Sequence, residues 1–176
     1  MRKLAVVVAA TGLLTACDRS APEVGTPIAN GATAHATLRT LGGAEVGRAT
    51  ATEVAGGLRV TVDAHDLAPG EHGAHVHTIG ACDPPDFTTA GGHWNPAMTK
   101  HGSLNPAGPH EGDMPNLRTG PDGRGAVGAV LPGATMAGLL DADGAALVIH
   151  AGRDDLMTDP SGNSGGRIAC GVFAAG

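Results

Sequence analysis

Apolar and polar residues alternate along much of the chain, and this alternation predicts where its strands lie. The first alternating runs are found at 32–41, 44–54, 58–64 and 73–79. Glycine pairs at 42–43 and 56–57 separate the first three runs and are typical of tight hairpin turns. In the third run Leu58, Val60 and Val62 fall on one face, because side chains point alternately to opposite faces of a strand. The pattern predicts successive antiparallel strands.

Residues 80–114 break this pattern with Pro or Gly every few positions. A loop of this length is uncommon in a compact domain unless it is functional. Strand patterns return at 116–119, 123–131, 145–151 and 167–173, and a second irregular loop occupies 152–166. The sequence has no amphipathic helix pattern. Many short strands separated by turn signals predict an all-β fold, an immunoglobulin-like Greek-key β-sandwich or barrel.

The N-terminus has the composition of an export signal. Arg2 and Lys3 precede an apolar run from Leu4 to Leu14, which is shorter than the about 20 residues of a membrane-spanning helix. The run ends in Leu14-Thr15-Ala16-Cys17, which resembles the lipobox of bacterial lipoproteins; an ordinary signal cleaved nearby is the alternative. We expect a lipoprotein signal peptide at 1–16, a lipidated flexible tether at 17–31 and one domain at 32–176. The domain would then be lipid-anchored on the periplasmic side of a bacterial membrane.

The composition restricts what this domain binds and how it is stabilised. The chain has 176 residues, a formal net charge of −6 and 2% aromatic residues. The negative charge argues against a nucleic-acid partner, and we expect membrane contact only through lipid on Cys17. A core so poor in aromatic residues gains from a cross-link. With Cys17 lipidated, Cys82 and Cys170 remain, the even number expected of an exported chain with one disulfide.

Histidines mark the candidate site. In "GEHGAHVH" His75 and His77 lie two positions apart, so both rings project from one face of the predicted strand. Two imidazoles on a rigid strand are half of a transition-metal site. The long loop and the end of the strand "ALVIH" add further candidates: His93, His101, His110, Asp113 and His150. Each of these could by itself face solvent, but their occurrence together favours a metal site.

These segments closely resemble the copper/zinc superoxide dismutase family over most of the mature domain. The similar segments are, in order, "GEHGAHVH", "AGGHWNPAMTKHG", "HEGDMPNL", "ALVIHAGRDDL" and "GNSGGRIACGV". The resemblance implies copper and zinc as cofactors. Copper would be held by His75, His77, His93 and His150. Zinc would be held by His93, His101, His110 and Asp113, so that His93 bridges the two metals.

Further residues receive roles from the same resemblance. Asp154 would link one copper-binding and one zinc-binding histidine without binding a metal itself. Arg167 would lie beside copper and attract the anionic substrate. Cys82 and Cys170 fall where the family has its intrasubunit disulfide. His72 matches a structural histidine that ligates no metal. Two other histidines match nothing in the family and are interpreted as surface residues: His35 and His65.

The implied activity is the conversion of superoxide to O2 and hydrogen peroxide by alternate reduction and oxidation of copper. His93 and Arg167 would be the catalytic residues. The alternative is a non-catalytic copper-binding lipoprotein on the same fold, which would lack a copper ligand or the arginine; this chain has all of them. The loop at 152–166 is short, with several acids and no lysine, so the steering charges of longer loops in the family are absent. A homodimer and a monomer are both compatible with the sequence.

Overall fold

Ten strands form one antiparallel sheet within residues 31–176, the part of the chain that the structure describes. The structure is a computed structural model. The strands are β1 (Thr33–Thr40), β2 (Glu45–Val54), β3 (Gly57–Ala64), β4 (Gly70–His72), β5 (Ala74–His77), β6 (Leu117–Thr119), β7 (Gly125–Pro132), β8 (Ala146–His150), β9 (Arg167–Val172) and β10 (Ala174–Ala175). The predicted signal peptide at 1–16, the lipidation site Cys17 and the tether up to residue 30 lie outside the described residues.

The strand order confirms the predicted all-β architecture, a nearly closed barrel. The neighbours run β4-β6-β7-β3-β2-β1-β9-β8-β5, and β10 pairs with β1. Although β4 and β5 stand at opposite ends of this order, Gly73 alone joins them in the chain. The sequence predicted a strand at 73–79, which β5 confirms, but it did not predict β4. The two strands are separate because β4 pairs with β6 while β5 pairs with β8.

Gly73 makes this passage between the two ends of the sheet possible. Its N–H donates to the carbonyl of Gly152, and its own carbonyl accepts from the N–H of His150. A Cβ atom at residue 73 would lie 2.8 Å from the Cβ of Ser164. The short loop at 152–166 therefore approaches the barrel at a position where only glycine fits.

The interior of the barrel is aliphatic, as the composition requires. Leu58, Val60 and Val62 are fully buried, which confirms the face predicted for β3. Trp94 and Phe173 are the aromatic side chains of the main core cluster among the described residues. Two short helical segments, a 3-10 turn at Thr88–Ala90 and α1 at Met136–Leu139, were not predicted, because one turn is too short to show a helical period. Within the described residues, no helix has the length and apolar character that crossing a membrane requires.

A disulfide between Cys82 and Cys170 confirms the predicted pairing. Cys170 lies in β9 and packs in a small second cluster with Phe87 and Val148. The two cysteines are 88 residues apart, and closing a loop of that size stabilises a fold by about 4–5 kcal/mol in the chain-entropy model. The disulfide thus fastens the start of the long loop to the strand that begins with Arg167.

Candidate metal centre

Paired strands hold three of the candidate histidines. His75 and His77 lie on β5 opposite Val148 and Ala146 of β8, and His150 ends β8. All three histidines are buried. Hydrogen bonds between the paired strands fix the backbone at these positions, so the three rings project from a rigid support.

The long loop brings its own candidates onto β5. His93 forms an isolated bridge with His77, and Asp113 forms one with His75. The N–H of Val76 donates to the carbonyl of Gly112, and the N–H of Trp94 donates to the carbonyl of Val76. The loop segments around His93 and Asp113 therefore continue the sheet beside β5.

Four imidazoles converge on one point. One donor atom from each lies within 4.8 Å of the others: His75, His77, His93 and His150. We call this group the four-histidine cluster. Among the described residues, four buried side-chain nitrogens lack a hydrogen-bond partner, and they belong to these rings: His75 Nδ1, His77 Nε2, His93 Nε2 and His150 Nε2. Because an unpartnered buried nitrogen is costly, this arrangement suits a bound cation.

The other ring nitrogens of this cluster are held from outside. His75 Nε2 donates to Asp154 Oδ2 at 2.7 Å, and His77 Nδ1 donates to the carbonyl of Gly91 at 2.9 Å. His150 Nδ1 donates to the carbonyl of Gly165 at 3.2 Å. These contacts select the tautomer that leaves the opposite nitrogen with a free lone pair, as metal-binding histidines require.

A second group adjoins the first and shares His93 with it. Its members, also within 4.8 Å by one donor atom each, are His93, His101, His110 and Asp113. We call it the mixed cluster. Asp113 Oδ1 lies 2.9 Å from His93 Nδ1, 3.0 Å from His101 Nδ1 and 3.5 Å from His110 Nδ1. Three imidazole nitrogens around one carboxylate oxygen form a donor set of the kind that binds zinc.

Asp154 connects the two clusters. Its fully buried carboxylate accepts from His75 Nε2 and, through Oδ1, from His101 Nε2 at 3.0 Å. The side-chain oxygen of Asn116 accepts from the Asp154 N–H, and the Asn116 amide donates to the Asp154 carbonyl. A Cβ on Gly162 would collide with Asp154 Oδ1. The sequence predicted the linking role of Asp154 but not Asn116 or Gly162, which carry no signal by themselves.

Burial and nearby charges shift the histidine pKa values differently in the two clusters. Burial away from water lowers the pKa of His75 to about 4, that of His77 to about 2 and that of His150 to about 3. These rings are therefore neutral at pH 7 and can offer lone pairs.

In the mixed cluster burial also lowers the pKa of His110, but His101 behaves in the opposite way. Burial opposes a charge on His101, but hydrogen bonds to Asp113 and Asp154 outweigh it and raise its pKa to about 9. Burial also opposes the charge of both carboxylates. Hydrogen bonds from His101 and a second histidine outweigh it and hold the pKa of each carboxylate well below its usual range. The mixed cluster therefore favours a positive charge at its centre, a proton or a metal ion.

A cavity of about 470 Å³ opens onto the four-histidine cluster. Its lining includes His77, His93, His150 and Arg167. The Arg167 guanidinium donates 2.7 Å hydrogen bonds to the carbonyls of Phe87 and Gly91. These contacts fix the cation at the wall of the cavity. The sequence did not identify the two carbonyl acceptors, because main-chain groups have no sequence signature.

The remaining histidines lie outside both clusters. The two ring nitrogens of His72 face the carbonyls of His150 and Ala68, each at 2.9 Å, which agrees with a structural role. His65 pairs with its neighbour Asp66 at the surface. His35 is half-buried against Thr50 on the outside of the sheet. None of these three belongs to a candidate metal group.

Comparison with known proteins adds independent information. The model of the family described as copper/zinc superoxide dismutase (SODC) matches residues 45–173. The chain is 44% identical over 144 residues to "Superoxide dismutase [Cu-Zn] 1" of Aquifex aeolicus, covering 78% of this chain and 85% of that protein.

Solved structures agree with the sequence comparison. A superoxide dismutase-like protein from Bacillus subtilis superposes with a TM-score of 0.75 at 40% identity, covering 80% of this chain and 97% of that one. The copper/zinc superoxide dismutase of Brucella abortus superposes with a TM-score of 0.68 at 32% identity, covering 81% of this chain and 99% of that one.

The lowered pKa values predict that the metal-free protein loses stability as the pH falls from 6 to 5. In this window the unfolded chain protonates its histidines near pH 6.5, whereas folded His75, His77 and His150 stay neutral. The unfolded state binds more protons, so the free energy of unfolding falls by up to about 4 kcal/mol per pH unit for the three together. The raised pKa of His101 has the opposite sign, but its contribution is complete below pH 6.5.

Urea unfolding at pH 7, 6 and 5 after chelator treatment measures this effect. We expect His77→Gln to flatten the dependence by about one third, since one of three groups is removed. His65→Gln, at the surface, serves as the matched control and leaves the slope unchanged. Stability that is constant or rises between pH 6 and 5 would contradict the prediction.

Proposed function

The chain belongs to the copper/zinc superoxide dismutase family, and we propose on this basis that it converts superoxide to O2 and hydrogen peroxide. Two superoxide anions and two protons give one O2 and one H2O2. The observation that carries the proposal is the four-histidine cluster: it has four unpartnered nitrogens, and three of its rings line a cavity with a fixed guanidinium on its wall. The alternative of a non-catalytic copper-binding protein has no observation in its favour.

Copper is assigned to the four-histidine cluster and zinc to the mixed cluster. Four imidazole nitrogens suit copper, whereas three imidazoles with one carboxylate suit tetrahedral zinc. The ligands would be the seven residues of the two clusters, with His93 in both. All of them come from one chain, so the proposal holds for a monomer and for a homodimer.

His93 is positioned to move a proton. Its Nδ1 lies 2.9 Å from Asp113 Oδ1, while its Nε2 belongs to the four-histidine cluster and has no hydrogen-bond partner. Nε2 can therefore take up a proton while Nδ1 keeps its place in the mixed cluster. Copper, when bound, supplies the alternating one-electron oxidation and reduction that the reaction needs.

Arg167 is proposed to attract the substrate. The formal net charge of the chain is −6, which repels an anion at long range. A fixed local cation can outweigh this within about 8 Å, the Debye length at physiological salt. Arg167 and three rings of the four-histidine cluster line the same cavity, so an anion drawn by the guanidinium arrives beside the proposed copper site.

We also propose that the protein is exported and anchored by lipid on Cys17, on the periplasmic side of a bacterial membrane. The support is the sequence: a basic start, a short apolar run and a cysteine after small residues. Superoxide dismutation needs no membrane contact by the domain itself, which agrees with a tether of some 15 residues between lipid and barrel.

Superoxide consumption by the chain from Asp18 onward, loaded with copper and zinc, tests the proposed activity. We expect fast consumption in this protein. In His150→Ala we expect a fall of at least about 100-fold, since loss of a direct ligand exceeds the 10–100-fold typical of outer contacts. The control His65→Ala alters a histidine outside both clusters and should stay within about two-fold. Both metals bound without activity would favour the copper-binding alternative.

Replacing Arg167 by glutamine tests its role in attracting superoxide. We expect kcat/KM to fall at least about 10-fold at low salt, because a local attractive charge raises association rates by 10–10³-fold. The remaining rate should fall less with ionic strength than the rate of the unaltered protein. Copper and zinc contents measured on the same samples serve as the control. An unchanged rate at full metal content would show that Arg167 does not attract the substrate.

Fractionation of bacterial cells tests the anchor. The unaltered chain should sediment with membranes, and Cys17→Ser should appear in the soluble fraction, because serine offers no thiol for lipid attachment. Superoxide consumption in both fractions shows that the domain is folded in each case. Equal distribution of the two proteins would contradict lipid anchoring at Cys17.

A further inference from the structure

Asp159 lies in the short loop at 152–166 and contacts three groups of the long loop. Its Oδ1 accepts from the main-chain N–H of His101 at 2.9 Å and lies 3.7 Å from His110 Nε2. Its Oδ2 accepts from Lys100 Nζ at 3.0 Å. At 3.7 Å the approach to His110 is an electrostatic contact rather than a hydrogen bond. One carboxylate thus touches the main chain of one mixed-cluster residue and the ring of another.

The outer nitrogens of the other rings show why this contact matters. Every ring of the two clusters except the shared His93 directs one nitrogen inward and has an oxygen atom beside the other. For four rings this oxygen is a hydrogen-bond acceptor and belongs to the Asp154 carboxylate, which serves two of them, or to the carbonyls of Gly91 and Gly165. His110 is the remaining ring, and the oxygen beside its Nε2 is Asp159 Oδ1, which makes an electrostatic contact at 3.7 Å. A histidine ligand depends on such a partner for its orientation and basicity.

We propose that Asp159 is a positioning residue for the mixed cluster, holding the His110 ring and the His101 main chain so that both Nδ1 atoms face Asp113. The inference rests on the proposed function, which assigns zinc to this cluster. Asp159 would touch neither metal nor substrate and would act through the two histidines.

The surroundings fit this role better than a role in binding substrate. Asp159 lines the same cavity as Arg167, where a free carboxylate would repel superoxide. Its ion pair with Lys100 offsets that charge at the entrance. The Asp159 side chain is 36% exposed, so it joins the two loops at the rim rather than in the interior.

Asp155 provides a matched control in the same loop. Its carboxylate accepts from the N–H groups of Met157 and Thr158 and from the Asn163 amide, all within the short loop. Replacing it by alanine loosens that loop without removing a contact to His101 or His110. Asp159→Asn is the conservative variant, because its amide oxygen can still accept from the His101 N–H.

The experiment is a zinc titration of the metal-free full chain against a chromophoric chelator, with the visible spectrum of Co²⁺ as a second readout of ligand geometry. For Asp159→Ala we expect zinc affinity to fall about 10–100-fold, the usual effect of losing an outer-sphere partner, and the Co²⁺ bands to shift. Asp159→Asn should lose less, and Asp155→Ala should match the unaltered protein in both readouts.

Each outcome decides one point. Failure of the unaltered chain to bind Zn²⁺ or Co²⁺ would overturn the assignment of zinc to the mixed cluster and with it the proposed function. Tight zinc binding and unchanged Co²⁺ bands in Asp159→Ala would overturn the positioning role alone. Equal losses in Asp155→Ala and Asp159→Ala would also overturn it, because loop order in general would then explain the effect.

Discussion

The buried carboxylate of Asp154 is the contact on which both donor clusters depend. One oxygen holds His75 of the four-histidine cluster and the other holds His101 of the mixed cluster, so neither ring can turn without leaving a buried charge partly unpaired. Such a loss is expensive in the interior. The N–H of Leu156 donates to the same carboxylate, and Gly162 leaves it the space it occupies. The geometry of two clusters is thereby tied to one side chain.

Rigid and irregular parts of the chain contribute differently to the site. His75, His77 and His150 stand on paired strands, and these three rings have pKa values lowered by burial. All four residues of the mixed cluster come from the long loop, which must be held by other means. The disulfide, the bridges to β5 and the contacts of Asp154 and Asp159 supply them. The position of a loop-borne ligand set therefore depends on side chains from a second loop.

A cation bound at each cluster would interact favourably with the nitrogen and carboxylate donor atoms that converge there. The four-histidine cluster presents unpartnered nitrogens in a buried place, and the mixed cluster gathers histidines around ionised Asp113. Metal ions bound there would add their affinity to the stability of a fold whose core has few aromatic residues. The same ions would stabilise the long loop, so binding and order in this region are coupled.

The sequence by itself determined eight of the ten strands, the face of β3 that is buried and the disulfide pair. Through its resemblance to a family, it also determined which side chains gather at the site. Strand alternation and ligand motifs are local, and local patterns can be seen in one dimension. It did not show that β4 exists at Gly70–His72, that the Phe87 and Gly91 carbonyls hold Arg167, or that Asp159 lies behind His110. These contacts join residues 49 to 80 positions apart, and some involve main-chain groups, which are the same in every residue. Only the nearly closed barrel, which brings both loops against β5 and β8, decided them.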